Sequence, residues 1–127
     1  MKLRTTHNSI RIRIRKSELD ALQDQQFVEE SIGFPSGLVF RFALKIVDED
    51  QAVNVSLADN TLVLSISKTT ASQWINTKQV GIETNISLPD NETLHVLVEK
   101  DFPCLDRAEE DKSDTFWELV TETPESC

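Results

Sequence analysis

The chain has 127 residues, 39% of them hydrophobic and 28% charged, with a formal net charge of −9. This fits one globular domain and excludes a disordered or linker-rich polypeptide. The negative balance weighs against unassisted binding to nucleic acid or to an anionic membrane, and no apolar run approaches the length of a membrane span.

Met1 is followed by Lys2, Arg4, Thr5 and Thr6 rather than by an apolar signal segment, so the expected compartment is the cytoplasm. The first clear element is Ile10-Arg11-Ile12-Arg13-Ile14-Arg15. Strict alternation puts the isoleucines on one face of a strand and the arginines on the other. Ser17 is the expected N-cap of a short helix over 17–25, with Leu19 and Leu22 as its apolar stripe. Residues 27–34 read as extended, and Pro35-Ser36-Gly37 as a turn. A long strand follows over 38–46, with Phe40, Phe42, Leu44 and Ile46 sharing a face.

Residues 53–57 and 62–66 flank Asp59-Asn60, which predicts a β-hairpin. Thr69 or Thr70 is the expected cap of a second short helix carrying Ala71, Trp74 and Ile75, with Trp74 in the core. Strands are expected over 80–88 and 93–100, joined by a turn at Pro89-Asp90-Asn91. The remainder is acidic, with a short helix expected near 105–111.

The two halves share a pattern: Ile12-Arg13-Ile14-Arg15-Lys16-Ser17 aligns with Leu64-Ser65-Ile66-Ser67-Lys68-Thr69. A short helix follows each, with Leu22 matching Trp74 and Val28 matching Val80. The competing reading is coincidental alternation, since short apolar periodicities recur freely. The expected fold class is α+β, a mainly antiparallel sheet that is strongly curled or barrel-like, with two short helices in a tandem β-α-β-β repeat. The repeat units are 10–46 and 62–100, within one domain over 1–118 and a C-terminal tail over 119–127.

Two groups of residues merit a site reading. Arg11, Arg13 and Arg15 stand about 7 Å apart on one strand face, a spacing that suits successive phosphates or another polyanion. The alternative is a solvated ladder paired with Glu29, Glu30, Glu83 or Glu99. Lys100, Asp101, Cys104 and Arg107 gather where the last strand ends. Cys104 is either a nucleophile or ligand there, or a small buried side chain anchoring the loop. Nucleophilic chemistry needs a base, and His7 and His95 are the only histidines; no zinc-type spacing is present. His95 reads as a surface or rim residue. The chain has three glycines and no phosphate-cradling loop, Gly-x-Ser-x-Gly or His-Glu-x-x-His motif. No catalytic residue, metal or cofactor is therefore assigned. The acidic residues 101–118 are expected to fold back on Phe102, Leu105 and Phe116, bringing carboxylates towards Arg4, Arg11 or Arg13.

Three segments carry a resemblance: Met1-Lys2-Leu3-Arg4 through Asn8-Ser9-Ile10-Arg11-Ile12-Arg13; Val80-Gly81-Ile82-Glu83; and Val98-Glu99-Lys100-Asp101-Phe102 with Cys104-Leu105 and Glu110-Asp111. The chain resembles a family of small bacterial proteins of unknown function, and the last segment is the most specific part. Members carry a Phe-Pro-Asn-Pro-like run near the C-terminus, where this chain has Phe116-Trp117-Glu118. The resemblance implies a stand-alone bacterial, cytoplasmic protein and supplies no activity or site residue. The functional expectation is a non-enzymatic binding or interaction module whose partner is a protein, with no nucleic acid or membrane partner. The alternative is a small enzyme or ligand sensor using the Cys104 loop with an arginine anion site.

Overall fold

The computed structural model describes residues 1–101. Strands β1 (Lys2–Thr6) and β2 (Ser9–Ile14) form a hairpin, and helix α1 (Lys16–Gln25) leads to a second hairpin, β3 (Phe27–Gly33) and β4 (Val39–Val47). The same order recurs: hairpin β5 (Val53–Ala58) and β6 (Thr61–Ser67), helix α2 (Lys68–Ile75), then hairpin β7 (Gly81–Ser87) and β8 (Thr93–Lys100). Local chemistry explains the tight turns. Asp59 and Asn60 both adopt positive φ between β5 and β6, as a two-residue hairpin turn requires. Gly37 takes φ 89° in the β3–β4 loop, a conformation that a side chain disfavours.

The strands form two four-stranded sheets. Sheet A has the order β1-β2-β8-β7 and sheet B the order β3-β4-β6-β5. Each hairpin is antiparallel, but the hairpins join through parallel central pairs, β2 with β8 and β4 with β6. This corrects the expected fold class: the sheets are mixed, and neither is closed or strongly curled. Residues 10–46 and 62–100 each run strand, helix, strand, strand, with a further strand before each, and neither stretch forms a sheet of its own. α1 carries the chain from sheet A to sheet B, and α2 carries it back, so each half contributes a hairpin to both sheets. Among the described residues β1 and β7 are the edges of one sheet and β3 and β5 of the other, and no strand pair among them closes a barrel.

Both sheets feed one core. Sheet A contributes Ile12, Ile14, Val96 and Val98, and sheet B contributes Phe42, Leu44, Leu64 and Ile66. Leu22 of α1 and Ala71 and Trp74 of α2 fill the same cluster. Trp74 is fully buried, and its indole Nε1–H donates to the Val80 carbonyl at 3.0 Å, so its polar atom is satisfied.

The helix caps differ from those expected. α1 starts after Arg15, with Ser17 inside the first turn. Glu18 reaches back to accept from the Arg15 backbone N–H at 2.8 Å, filling an N-terminal donor as a capping carboxylate does. Glu18 also binds the Met1 amino group, which Glu30 accepts from at 3.2 Å. Burial pushes the Glu18 carboxyl up, but the hydrogen bonds from the Met1 amine and from Arg15, and their charges, outweigh it and hold its pKa below the ordinary 4.5. α2 is capped by Ser67, whose Oγ accepts from the Thr70 N–H at 3.2 Å, so neither Thr69 nor Thr70 is the cap.

Candidate functional site

The alternation that turns Ile10, Ile12 and Ile14 towards the core, with Ile12 and Ile14 fully buried, sends Ser9, Arg11 and Arg13 to the outer face of sheet A. The register sets their neighbours. Lys2 lies opposite Arg13, and Arg4 opposite Arg11, across β1 and β2. On the other side, Leu97 lies beside Arg11 and Glu99 beside Arg13.

Glu99 is the centre of this arrangement. One of its oxygens, Oε1, accepts from Arg11 Nη2 at 2.6 Å and from Arg11 Nε at 2.9 Å. It also accepts from Arg13 Nε at 2.7 Å. Only 6% of Glu99 is exposed, an unusual burial for a carboxylate on a sheet's outer face. Such burial requires charged partners, and two guanidinium groups provide them. Asp101 continues the chain of charges, 3.8 Å from Arg13 Nη1 and 3.6 Å from Lys2 Nζ. Gly81 makes room for this packing. It lies opposite Glu99 in the ladder, and a Cβ there would come within 2.8 Å of the Val98 carbonyl oxygen.

Of the residues singled out from sequence, the structure brings together Arg11, Arg13 and Asp101. Arg15 leaves the ladder: β2 ends at Ile14, and Arg15 turns to Glu18 at 3.5 Å. Lys100 is paired with Ile14 rather than with the arginine face, and its Nζ donates to the Thr77 carbonyl at 2.9 Å. Cys104 and Arg107, with the expected helix near 105–111 and the fold-back of residues 102–118, lie outside the described residues. His95 sits on the same outer face with its Nε2 2.6 Å from Glu83 Oε2. Among the described residues, no group of three or more His, Cys, Asp or Glu side chains is placed to hold a metal ion. No helix among them is long and apolar enough to cross a membrane.

A second feature escaped the sequence reading. Ile32 is paired with Phe40, and Leu57 with Leu62, all on the inner face of sheet B. At this end of the sheet that face is open. Ile32 is 46% exposed, Phe34 49%, Leu38 61% and Leu57 70%. Phe34, Ser36, Leu38, Val39, Phe40 and Asn60 line a groove of about 330 Å³. The Phe40 ring stacks on Phe42 at 6.3 Å and ties this surface to the core. The available signal was the pair Phe34 and Leu38, two large apolar residues flanking a Pro-Ser-Gly turn where polar residues are usual.

A family model described as a family of unknown function (DUF7009) matches residues 1–118, and the chain belongs to that family. No curated protein and no solved structure matches the chain significantly.

Proposed function

We propose that this DUF7009 chain is a non-enzymatic binding module that engages another protein through the open end of sheet B. The observation that carries this reading is the run of exposed inner-face residues, Ile32, Phe34, Leu38 and Leu57, around the Phe40 groove. An inner face is built to be covered, and large exposed apolar patches on folded proteins mark contact surfaces. The aromatic pair Phe34 and Phe40 has the character of interface anchors, which gain most of their energy by filling a partner's pocket. The groove is shallow and lined by few polar groups, so it suits an apolar side chain of a partner better than a polar metabolite.

The test is site-specific photo-crosslinking in the native cell, with a photoreactive residue at position 38 and, as control, at Ser56 on the outer face of β5. The expected result is one discrete adduct with another protein from position 38, absent from position 56 and lost when Phe34→Asp is added. No adduct at position 38, the same adduct from position 56, or an adduct joining two copies of this chain would overturn the reading.

A further inference from the structure

Among the described residues, the sheet edges are β1 and β7 in sheet A and β3 and β5 in sheet B. An edge presents unpaired N–H and C=O groups, and folded proteins guard such groups against stray pairing. Three of these edges carry visible guards. β1 has the charged side chains of Lys2 and Arg4. β7 has Glu83, and its Gly81 carbonyl accepts from Gln79 Nε2 at 2.9 Å. On β5 the Val55 N–H donates to Asn54 Oδ1 at 2.9 Å.

β3 is different. The Phe34 N–H donates to the Leu38 carbonyl, and the Ile46 N–H donates to the Gln26 carbonyl. Antiparallel bonding alternates, so the even-numbered residues of β3 bond to β4, and the backbones of Phe27, Glu29, Ser31 and Gly33 point away from it. Those residues are all exposed. Glu29 and Glu30 guard the first half of the strand, but Ser31-Ile32-Gly33 carries no charge and no proline. Among the described residues, no side chain caps the Ser31 or Gly33 backbone. On the inner side of this unguarded stretch lies Ile32, 46% exposed, next to the groove of Phe34, Leu38 and Phe40.

A second copy of the chain fits this edge poorly. The antiparallel register that pairs the whole of β3 with itself sets Phe27 opposite Gly33 and Glu30 opposite Glu30. Like charges directly opposite are unfavourable. Sliding the copy one way sets Glu29 opposite Glu29, and sliding it the other way runs the pair into Pro35, which has no N–H to give.

We propose that the protein partner of sheet B supplies an extended segment that pairs with the edge of β3 and adds a strand to the four-stranded sheet. Its main chain bonds to Glu29, Ser31 and Gly33. Its inward side chains are apolar, cover Ile32 and reach the rim of the groove, and it carries no carboxylate opposite Glu30. Main-chain bonds then supply affinity, and the alternate side chains supply specificity. This inference rests on the protein-binding reading of the open end of sheet B and names the form in which the partner arrives.

The test adds position 31 to the photo-crosslinking in the native cell. Neighbouring strands lie about 4.8 Å apart, so a strand beside β3 is within reach of a photoreactive residue at position 31, on the outer face, and a partner that covers only the inner face is not. The expected result is the same protein adduct from positions 31 and 38. Ser31→Pro removes an N–H that points away from β4, a change an edge strand tolerates, and should reduce the adduct from position 38 by roughly tenfold or more. Ser31→Ala keeps that N–H and should leave the adduct within about twofold. Circular dichroism of both variants reads the fold, and the position 31 adduct decides alone if Ser31→Pro unfolds the chain. An adduct from position 38 that is absent from position 31, or that persists in folded Ser31→Pro, overturns strand pairing and leaves the protein-binding reading standing. No adduct from position 38 overturns both. A position 31 adduct that joins two copies, or that joins residues 102–127 of the same chain, also overturns pairing with a partner strand.

Discussion

Gly33 and Gly81 show how one residue type plays two roles that only the fold separates. Gly33 ends β3 with nothing within 4 Å of the place a Cβ would occupy. Gly81 begins β7 opposite Glu99, where a Cβ would lie 2.8 Å from the Val98 carbonyl oxygen and 3.1 Å from the Glu99 Cβ. The obstacle is backbone, so the neighbouring strand itself has to shift. Any shift there disturbs the carboxylate that holds Arg11 and Arg13. We expect Gly81→Ala to destabilise the protein by about 1–3 kcal/mol, the range of overpacking in a tight site. Gly33→Ala should be neutral or stabilising by up to about 1 kcal/mol, because it restricts only the unfolded chain. Urea denaturation midpoints of the two variants check both expectations, and equal shifts would contradict the distinction.

At the scale of elements, the alternation of apolar side chains located seven of the eight strands, and the apolar stripes at Leu22 and Trp74 located both helices. β1 escaped because Leu3 is its only large apolar side chain in a run of Lys, Arg and Thr. Where one element passes into the next, the sequence misled. Ser67 closes β6 and caps α2 at once, while Thr69 and Thr70, the caps expected from their hydroxyls, lie inside the first turn. Ser67→Ala should therefore cost about 1 kcal/mol of stability, the usual worth of an N-cap, and Thr69→Ala only a few tenths. Thermal unfolding followed by circular dichroism measures both, and an equal loss would reassign the cap. Sheet membership was not legible at all. Alternation along β2 reports which face is buried, not whether β8, more than eighty residues away, lies parallel beside it. The candidate site was partly legible for the same reason. Arg11, Arg13 and Glu99 were named from their positions, but Arg15 was read into the ladder because its sequence continues the alternation past the point where the backbone enters α1. The open end of sheet B stayed hidden because Ile32 and Leu57 satisfy the inward pattern whether or not anything covers them.

Over the whole molecule, charge is divided unevenly along the chain. Residues 1–101 carry eleven basic and fourteen acidic side chains, a balance of −3, and residues 102–127 carry two against eight, a balance of −6. Two thirds of the net charge of −9 therefore resides in the last fifth of the chain. The basic strip on sheet A is the feature that most invites a polyanion, yet its two inner arginines already share the Glu99 carboxylate. A nucleic acid would have to displace that carboxylate and Asp101 from Arg11, Arg13 and Lys2, and approach through the field of the acidic stretch. Its gain would be counterion release from the few phosphates that Lys2, Arg4 and Arg11 span, which supports only weak binding that falls steeply with salt. The expected outcome is no measurable binding of the intact chain to a twenty-residue single- or double-stranded oligonucleotide at physiological salt. Fluorescence anisotropy with a labelled oligonucleotide decides it, read from low to physiological ionic strength. A saturable signal at physiological salt that weakens as salt rises would show that the arginine strip outcompetes the protein's own carboxylates, and that sheet A is a nucleic-acid surface after all.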